Sequence, residues 1–229
     1  MKYLNEKIQV YLEDLRAKKS TPGGGAAAAL TGAQGAALVM MVAEFTIGNE
    51  KYAEFEEACK GARAANSYVY ANLAMLVDQD AEAYSKVVEA RKMPDGTDAE
   101  KAVKKAKIEE ATVTATIVPL NVMRMCHEGL ATAEMIIGKC NPNIESDLTI
   151  AFLNLLAGLR SAWLNVLINL PEIEDEKTRE NFRKQGEEFL RRAFKIEERA
   201  KEAGLFPDFN PPDEEDDEVQ KILKNAGWA

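Results

Sequence analysis

Histidine is nearly missing from this sequence: one in 229 residues, beside three cysteines. A Ser-His-Asp triad or a histidine-rich zinc site would have to be built around His127 alone. His127 follows Arg124-Met125-Cys126 near an expected helix end, where a half-buried structural histidine is the plain reading. Cys59, Cys126 and Cys140 have no paired spacing, and no signal peptide precedes them, so no disulfide framework is expected and a reducing, cytoplasmic setting is. No metal site is expected. Positive charge is short as well. A formal net charge of −9 argues against nucleic acid as a partner and requires a local basic patch for any polyanionic ligand. Fourteen glycines and eight prolines are too few for a disordered or collagen-like chain. Strand-type alternation is absent throughout, which leaves an all-α fold.

What is present is helical pattern. Residues 2–19 read as an amphipathic helix with Leu4, Ile8, Tyr11, Leu12 and Leu15 on one face, stopped by Thr21-Pro22-Gly23-Gly24-Gly25. Residues 26–43 carry no charge and reach the length of a membrane span. They are mostly Ala and Gly, enclose Thr31 and Gln34, end at Glu44 and lack both a second apolar span and a basic flank. A buried central helix fits better, and no membrane association is expected. Residues 50–92 predict one long helix or two stacked ones, with Leu73, Leu76, Val77, Tyr84 and Val87 on the inner stripe. Met93–Thr97 makes a turn, and Thr97 or Asp98 caps the next helix, in which Pro119 predicts a kink or break. Further helices are expected from Ser146 to Asn169 and over 175–203, the latter with Phe182, Phe189, Phe194 and Ile196 inward. The architecture is a mostly antiparallel bundle of about six helices, one domain over 1–204, followed by an acidic tail over 205–229.

Polar residues on apolar faces carry the functional information. At about 100° per residue, Asp80 projects into the inner stripe of the third helix, whereas Asp78 falls on the opposite side. A carboxylate there must find a partner, protonate or line a cavity. Pattern alone leaves both a structural bridge and an acid–base role open. Asp147, Asn154, Gly158, Ser161 and Asn165 share one face of the fifth helix, either as a ligand groove or as a close helix seam. The glycine turn can offer backbone N–H groups to an anion or carbonyl. It has no phosphate-loop signature and no preceding strand.

Together these segments resemble the cyclodeaminase/cyclohydrolase family of tetrahydrofolate enzymes. The resemblance lies in TPGGGAAAALTGAQGAALVMMVAEFTIG with Lys51-Tyr52, Asp80-Ala81-Glu82-Ala83-Tyr84, Val118-Pro119-Leu120, Asn141-Pro142-Asn143 with Ser146-Asp147, and GLRSAWLNV over 158–166. It covers about residues 1–200 and is finer to the stand-alone cyclohydrolases. Ala26 departs from the Ser of many members, and Cys140 from the usual Gly before the Asn.

The resemblance implies a helical homodimer that binds folate near the subunit interface and needs no cofactor beyond its substrate. Asp80 is then the base and acid, with Tyr84 one turn away to orient it. Lys51 supplies a proton or holds a substrate carboxylate. Pro22, Gly23 and Gly24 belong to the substrate site, and Asn141, Asp147 and Asn165 read the pterin edge. A polyglutamate tail would use Lys101, Lys104, Lys105 and Lys107, which otherwise form a solvated helix face. The expected reaction is 5,10-methenyltetrahydrofolate plus water to 10-formyltetrahydrofolate. The alternatives are formiminotetrahydrofolate cyclodeamination with ammonia release and, from another class, a non-catalytic helical dimer.

Overall fold

A computed structural model describes residues 2–207. Its α-helices are α1 (Ile8–Leu15), α2 (Gly24–Glu44), α3 (Glu56–Arg91), α4 (Asp98–Glu134), α5 (Glu145–Asn169) and α6 (Glu176–Glu202), and no strand occurs among the described residues. The uncharged run is α2, packed among α3, α4 and α5, with Ala26, Ala29, Ala36, Val39 and Val42 fully buried. Glycine lets it come so close. A Cβ on Gly35 would stand 2.8 Å from the Ala151 carbonyl oxygen, and one on Gly158 would stand 3.0 Å from that of Ala28. Neither position has room for a Cβ unless the facing backbone shifts, so α2 and α5 pack backbone on backbone along an antiparallel seam. Around it Leu73, Met123, Met125, Phe152 and Leu155 form the core, each contributing roughly 1.5–3 kcal/mol by leaving water.

Other helices follow their local chemistry. Thr97 caps α4 in a reciprocal capping box with Glu100. Asp175 caps α6 through Thr178 N–H. Pro119 breaks nothing, since α4 runs through it. The missing N–H nonetheless leaves the Ala115 carbonyl without its helical partner. α6 lies across α4 and α5, where the Trp163 ring covers Gly186 so closely that a Cβ would come within 2.2 Å.

Several sequence expectations are corrected. The first helix is a 3-10 turn at Tyr3–Asn5 followed by the eight residues of α1. Tyr3 and Tyr11 are buried, whereas Leu4, Ile8, Leu12 and Leu15 face outward, because the segment seats on α3 by its tyrosines. That same contact buries Asp78, whose carboxylate accepts the Tyr3 N–H at 2.7 Å, so both sides of α3 are covered there. Tyr84 is 42% exposed rather than in the core, and Phe194 also faces outward. His127 lies within α4, partly buried against Phe189. α5 is long and apolar enough to span a membrane, like α2, although only α2 was singled out. Leu205 is buried and its carbonyl accepts the Thr149 hydroxyl. The acidic run over 211–218 lies outside the described residues.

Candidate active site

α2 begins without a cap of its own. Gly23 at its N-cap is extended and has no side chain to offer, so the first amides of the helix need partners from elsewhere. Asp80 supplies one across 54 residues: its Oδ2 accepts the Ala26 N–H at 3.0 Å. Oδ1 lies over Gly25, where a Cβ would stand only 2.0 Å away. Two influences oppose each other at this carboxylate. Burial disfavours its charge and dominates, while the Ala26 N–H favours it, and the pKa is raised above the ordinary carboxylate value. The buried Tyr11 phenol senses the same group. Its own pKa is raised, first by burial and then by the charge of Asp80, and its hydroxyl has no hydrogen-bond partner among the described residues.

Asp80 lines a cavity of about 280 Å³ between the start of α2, the second half of α3, the middle of α4 and the end of α5. Its walls include Ser20, Thr21, Gly23, Gly24, Tyr84, Val87, Arg91, Thr112, Ala115, Pro119, Asn165, Ile168 and Glu172. The Asn165 amide donates to the Ser161 carbonyl at 2.9 Å, which leaves its oxygen beside Gly24. Thr112 is 2% exposed and its hydroxyl is unpartnered among the described residues. Thr31, Thr114, Thr116, Thr132 and Thr149 each return theirs to the carbonyl four residues back. At the outer end Arg91 grips Glu172, its Nη2 at 2.7 and 2.6 Å from the two carboxylate oxygens.

The structure therefore brings together Gly23, Gly24, Asp80, Tyr84 and Asn165. Pro22, joined to Thr21 by a cis peptide bond, is buried beside the cavity without lining it. Lys51, Asn141 and Asp147 sit at the other end of the bundle. Asp147 and Asn165 are 18 positions apart on α5, roughly 27 Å along the axis. Lys51 is exposed in a 3-10 turn. Asn141 donates its N–H to Thr46 Oγ1 at 3.0 Å, and its side chain accepts from Asn143 N–H. The face read on α5 divides: Gly158 belongs to the seam with α2 and Asn165 to the cavity. At the two departures, residue 26 meets Asp80 through its backbone N–H, and Cys140 is a buried thiol. Sequence reasoning missed Gly25, Arg91, Thr112 and Glu172. Arg91 had a signal, because it shares a helix face with Asp80.

A partly buried carboxylate of raised pKa, clasped by a helix start in a mixed polar and apolar cavity, is the kind of arrangement that acid–base enzymes use. The profile of the formiminotransferase-cyclodeaminase family matches residues 7–188, and the chain belongs to that family. It is 43% identical over 195 residues to a methenyltetrahydrofolate cyclohydrolase of Methylorubrum extorquens, covering 85% of this chain and 94% of that protein. It is 30% identical over 191 residues to the rat formimidoyltransferase-cyclodeaminase, covering 83% of this chain but 35% of that longer protein. The crystal structure of a formiminotetrahydrofolate cyclodeaminase from Thermotoga maritima superposes with a TM-score of 0.78 at 29% identity, covering 87% of this chain and 96% of that one.

Proposed function

We propose that this chain is a methenyltetrahydrofolate cyclohydrolase, adding water to 5,10-methenyltetrahydrofolate to give 10-formyltetrahydrofolate. The observation that carries this is Asp80: a carboxylate of raised pKa at the start of α2, in a cavity that also offers amide and hydroxyl groups. The near-full-length similarity to a cyclohydrolase favours this activity over the ammonia-releasing one, in which a similar adduct forms in a similar site.

The bridging carbon of the substrate belongs to a cationic amidinium. Ionised Asp80 balances that charge and accepts a proton from water as the water oxygen bonds to the carbon. The Ala26 N–H holds Oδ2 in place and leaves Oδ1 toward the reacting water. The resulting adduct is neutral. Its collapse needs a proton at the departing ring nitrogen, which Asp80 returns as the C–N bond breaks and the adduct hydroxyl loses its own proton to solvent. One proton is released overall. Burial raises the proton affinity of Asp80 toward the range where one group serves as base and then acid. This chemistry requires no metal or organic cofactor. Asn165 presents its amide to the edge of the pterin.

The assembly proposed is a homodimer. Ile150, Leu153, Leu164 and Ile168 form an exposed apolar stripe along α5, from 40% to 74% exposed, and Ile168 also lines the cavity. A two-fold antiparallel packing of α5 on α5 would cover that stripe. It would also bring the opposite end of a second copy, with Lys51, Asn141 and Asp147, toward this cavity. Those three residues then keep the substrate roles proposed for them.

Loss of the ultraviolet absorbance of 5,10-methenyltetrahydrofolate on mixing with purified protein tests the activity. Asp80→Asn is expected to slow it about 10²–10⁴-fold. Absence of acceleration by the wild type would exclude the cyclohydrolase, and ammonia release from the formimino substrate would then identify the alternative.

A further inference from the structure

Asp80, Tyr84, Val87 and Arg91 follow one another at intervals of four, three and four on α3, so they lie in a line along one face. All four line the same cavity. The order is chemically directional: a carboxylate, then an aromatic ring and an apolar side chain, then a guanidinium. Ala115 and Ile168 add apolar surface to the same cavity. A tetrahydrofolate has the same order, with a cationic reacting centre, a flat aminobenzoyl ring and a glutamate that ends in carboxylates. The dimensions agree. Eleven residues of helix measure about 16 Å, and a long side chain leans back toward the helix start. Summed bond lengths place the first glutamate carboxylate about 10–12 Å from the reacting carbon.

The guanidinium at the end of this line already holds a carboxylate. Arg91 Nη2 contacts both oxygens of Glu172 at 2.7 and 2.6 Å, and both side chains remain about half exposed. An exposed ion pair of this kind contributes little stability, so replacing one carboxylate by another on Arg91 costs little. The lysines expected to meet the glutamate tail hold exposed ion pairs of the same kind, but none of them lines this cavity. Lys101 pairs with Asp98, Lys104 with Asp95, Lys105 with Glu174 and Lys107 with Glu110.

We infer that Arg91 is the binding site for the substrate's first glutamate carboxylate, and that Glu172 occupies Arg91 until the substrate displaces it. This rests on the folate reading above and deepens it. Beyond Glu172 the surface carries Asp95, Glu109 and Glu174 among Lys101, Lys104 and Lys105, so the assignment is confined to the first glutamate.

Two substrates separate the glutamate contact from everything else: 5,10-methenyltetrahydrofolate and 5,10-methenyltetrahydropteroate, which lacks the glutamate. The wild type is expected to show a KM about 10- to 100-fold lower for the folate, the effect of a charge-assisted hydrogen bond, with similar kcat for both. Arg91→Gln should abolish that preference by raising KM for the folate alone. Glu172→Gln should lower KM for the folate, relative to that for the pteroate, by up to about five-fold, the upper reach of an exposed ion pair. Arg91→Gln raising both KM values together would overturn the assignment, as would Glu172→Gln raising that for the folate. A wild type that hydrolyses both substrates equally well fails this inference alone. One that hydrolyses neither fails the cyclohydrolase reading and this inference with it.

Discussion

Gly25→Ala is the sharpest single perturbation of this site. The added Cβ would stand 2.0 Å from Asp80 Oδ1 and 2.6 Å from its Cγ, so the carboxylate must retreat by at least about 1 Å to reach van der Waals separation. The Ala26 N–H contact, now 3.0 Å, cannot survive that movement, and a hydrogen bond to a charged group contributes about 1.5–3 kcal/mol. Misplacing a reacting group by about 1 Å costs on the order of 10²-fold in rate. We therefore expect kcat/KM for methenyltetrahydrofolate to fall about 10²-fold or more. Stability combines two opposite effects: Ala favours the helix over Gly by about 0.5–1 kcal/mol, and forced overpacking costs about 1–3 kcal/mol. A net loss of about 1 kcal/mol would lower Tm by roughly 2–4 °C. Gly61→Ala isolates the first effect, because Gly61 lies in α3 with nothing within 4 Å of its Cβ position, and that variant should gain stability and keep its activity. Absorbance decay and thermal melts of the two variants supply the numbers. Gly25→Ala with wild-type kcat/KM would refute the placement of Asp80 at the chemistry.

The remaining predictions concern charge and assembly. Because the Asp80 pKa is raised, hydrolysis should weaken on acidification at a higher pH than an ordinary carboxylate would produce, as the base takes up its proton. The folded state binds that proton more tightly than the unfolded one. Asp80 therefore favours the fold at low pH, and the contribution is lost as pH rises through the folded pKa. Asp80→Asn should melt higher than wild type at pH 8, with the gap closing toward pH 4; a lower melting temperature at pH 8 would contradict this. Leu164→Glu, at a position 65% exposed, should leave the monomer fold intact by circular dichroism and convert a dimer to monomer in sedimentation, with activity falling in parallel. An active monomer would refute a shared site.

Much of the bundle is legible in the sequence, because each helix announces itself through local chemistry. The uncharged Ala/Gly run reads better as a buried helix than as a membrane span, Thr97 or Asp98 offers a cap, of which the structure uses Thr97, and Pro94-Asp95-Gly96 marks a turn. Asp80 was legible too, as a charge on an apolar stripe. The N-terminal segment was not, since Leu4, Ile8, Leu12 and Leu15 follow a helical period yet face outward, and periodicity does not say which side of a helix meets the bundle. Asp78 escaped for the same reason: Tyr3 covers it from a distant part of the chain. Gly25 could not be singled out among three consecutive glycines, because its necessity comes from a carboxylate 55 positions away. Pattern also could not separate the cavity residues from Lys51, Asn141 and Asp147, which share family motifs but occupy opposite ends of the molecule.

α2 is secured by one polar clasp near each end. Ala26 N–H bonds to Asp80 at its start, and the Thr46 hydroxyl just past its end receives the Asn141 N–H, both at 3.0 Å. Between them the seam with α5 is built on small residues, with Leu155 wedged against Gly35. The 21-residue helix thus behaves as a strut roughly 30 Å long, whose lengthwise position is registered at its tips. One helix therefore carries a polar contact at both ends of the bundle, the Asp80 carboxylate at one and the Asn-Pro-Asn turn at the other.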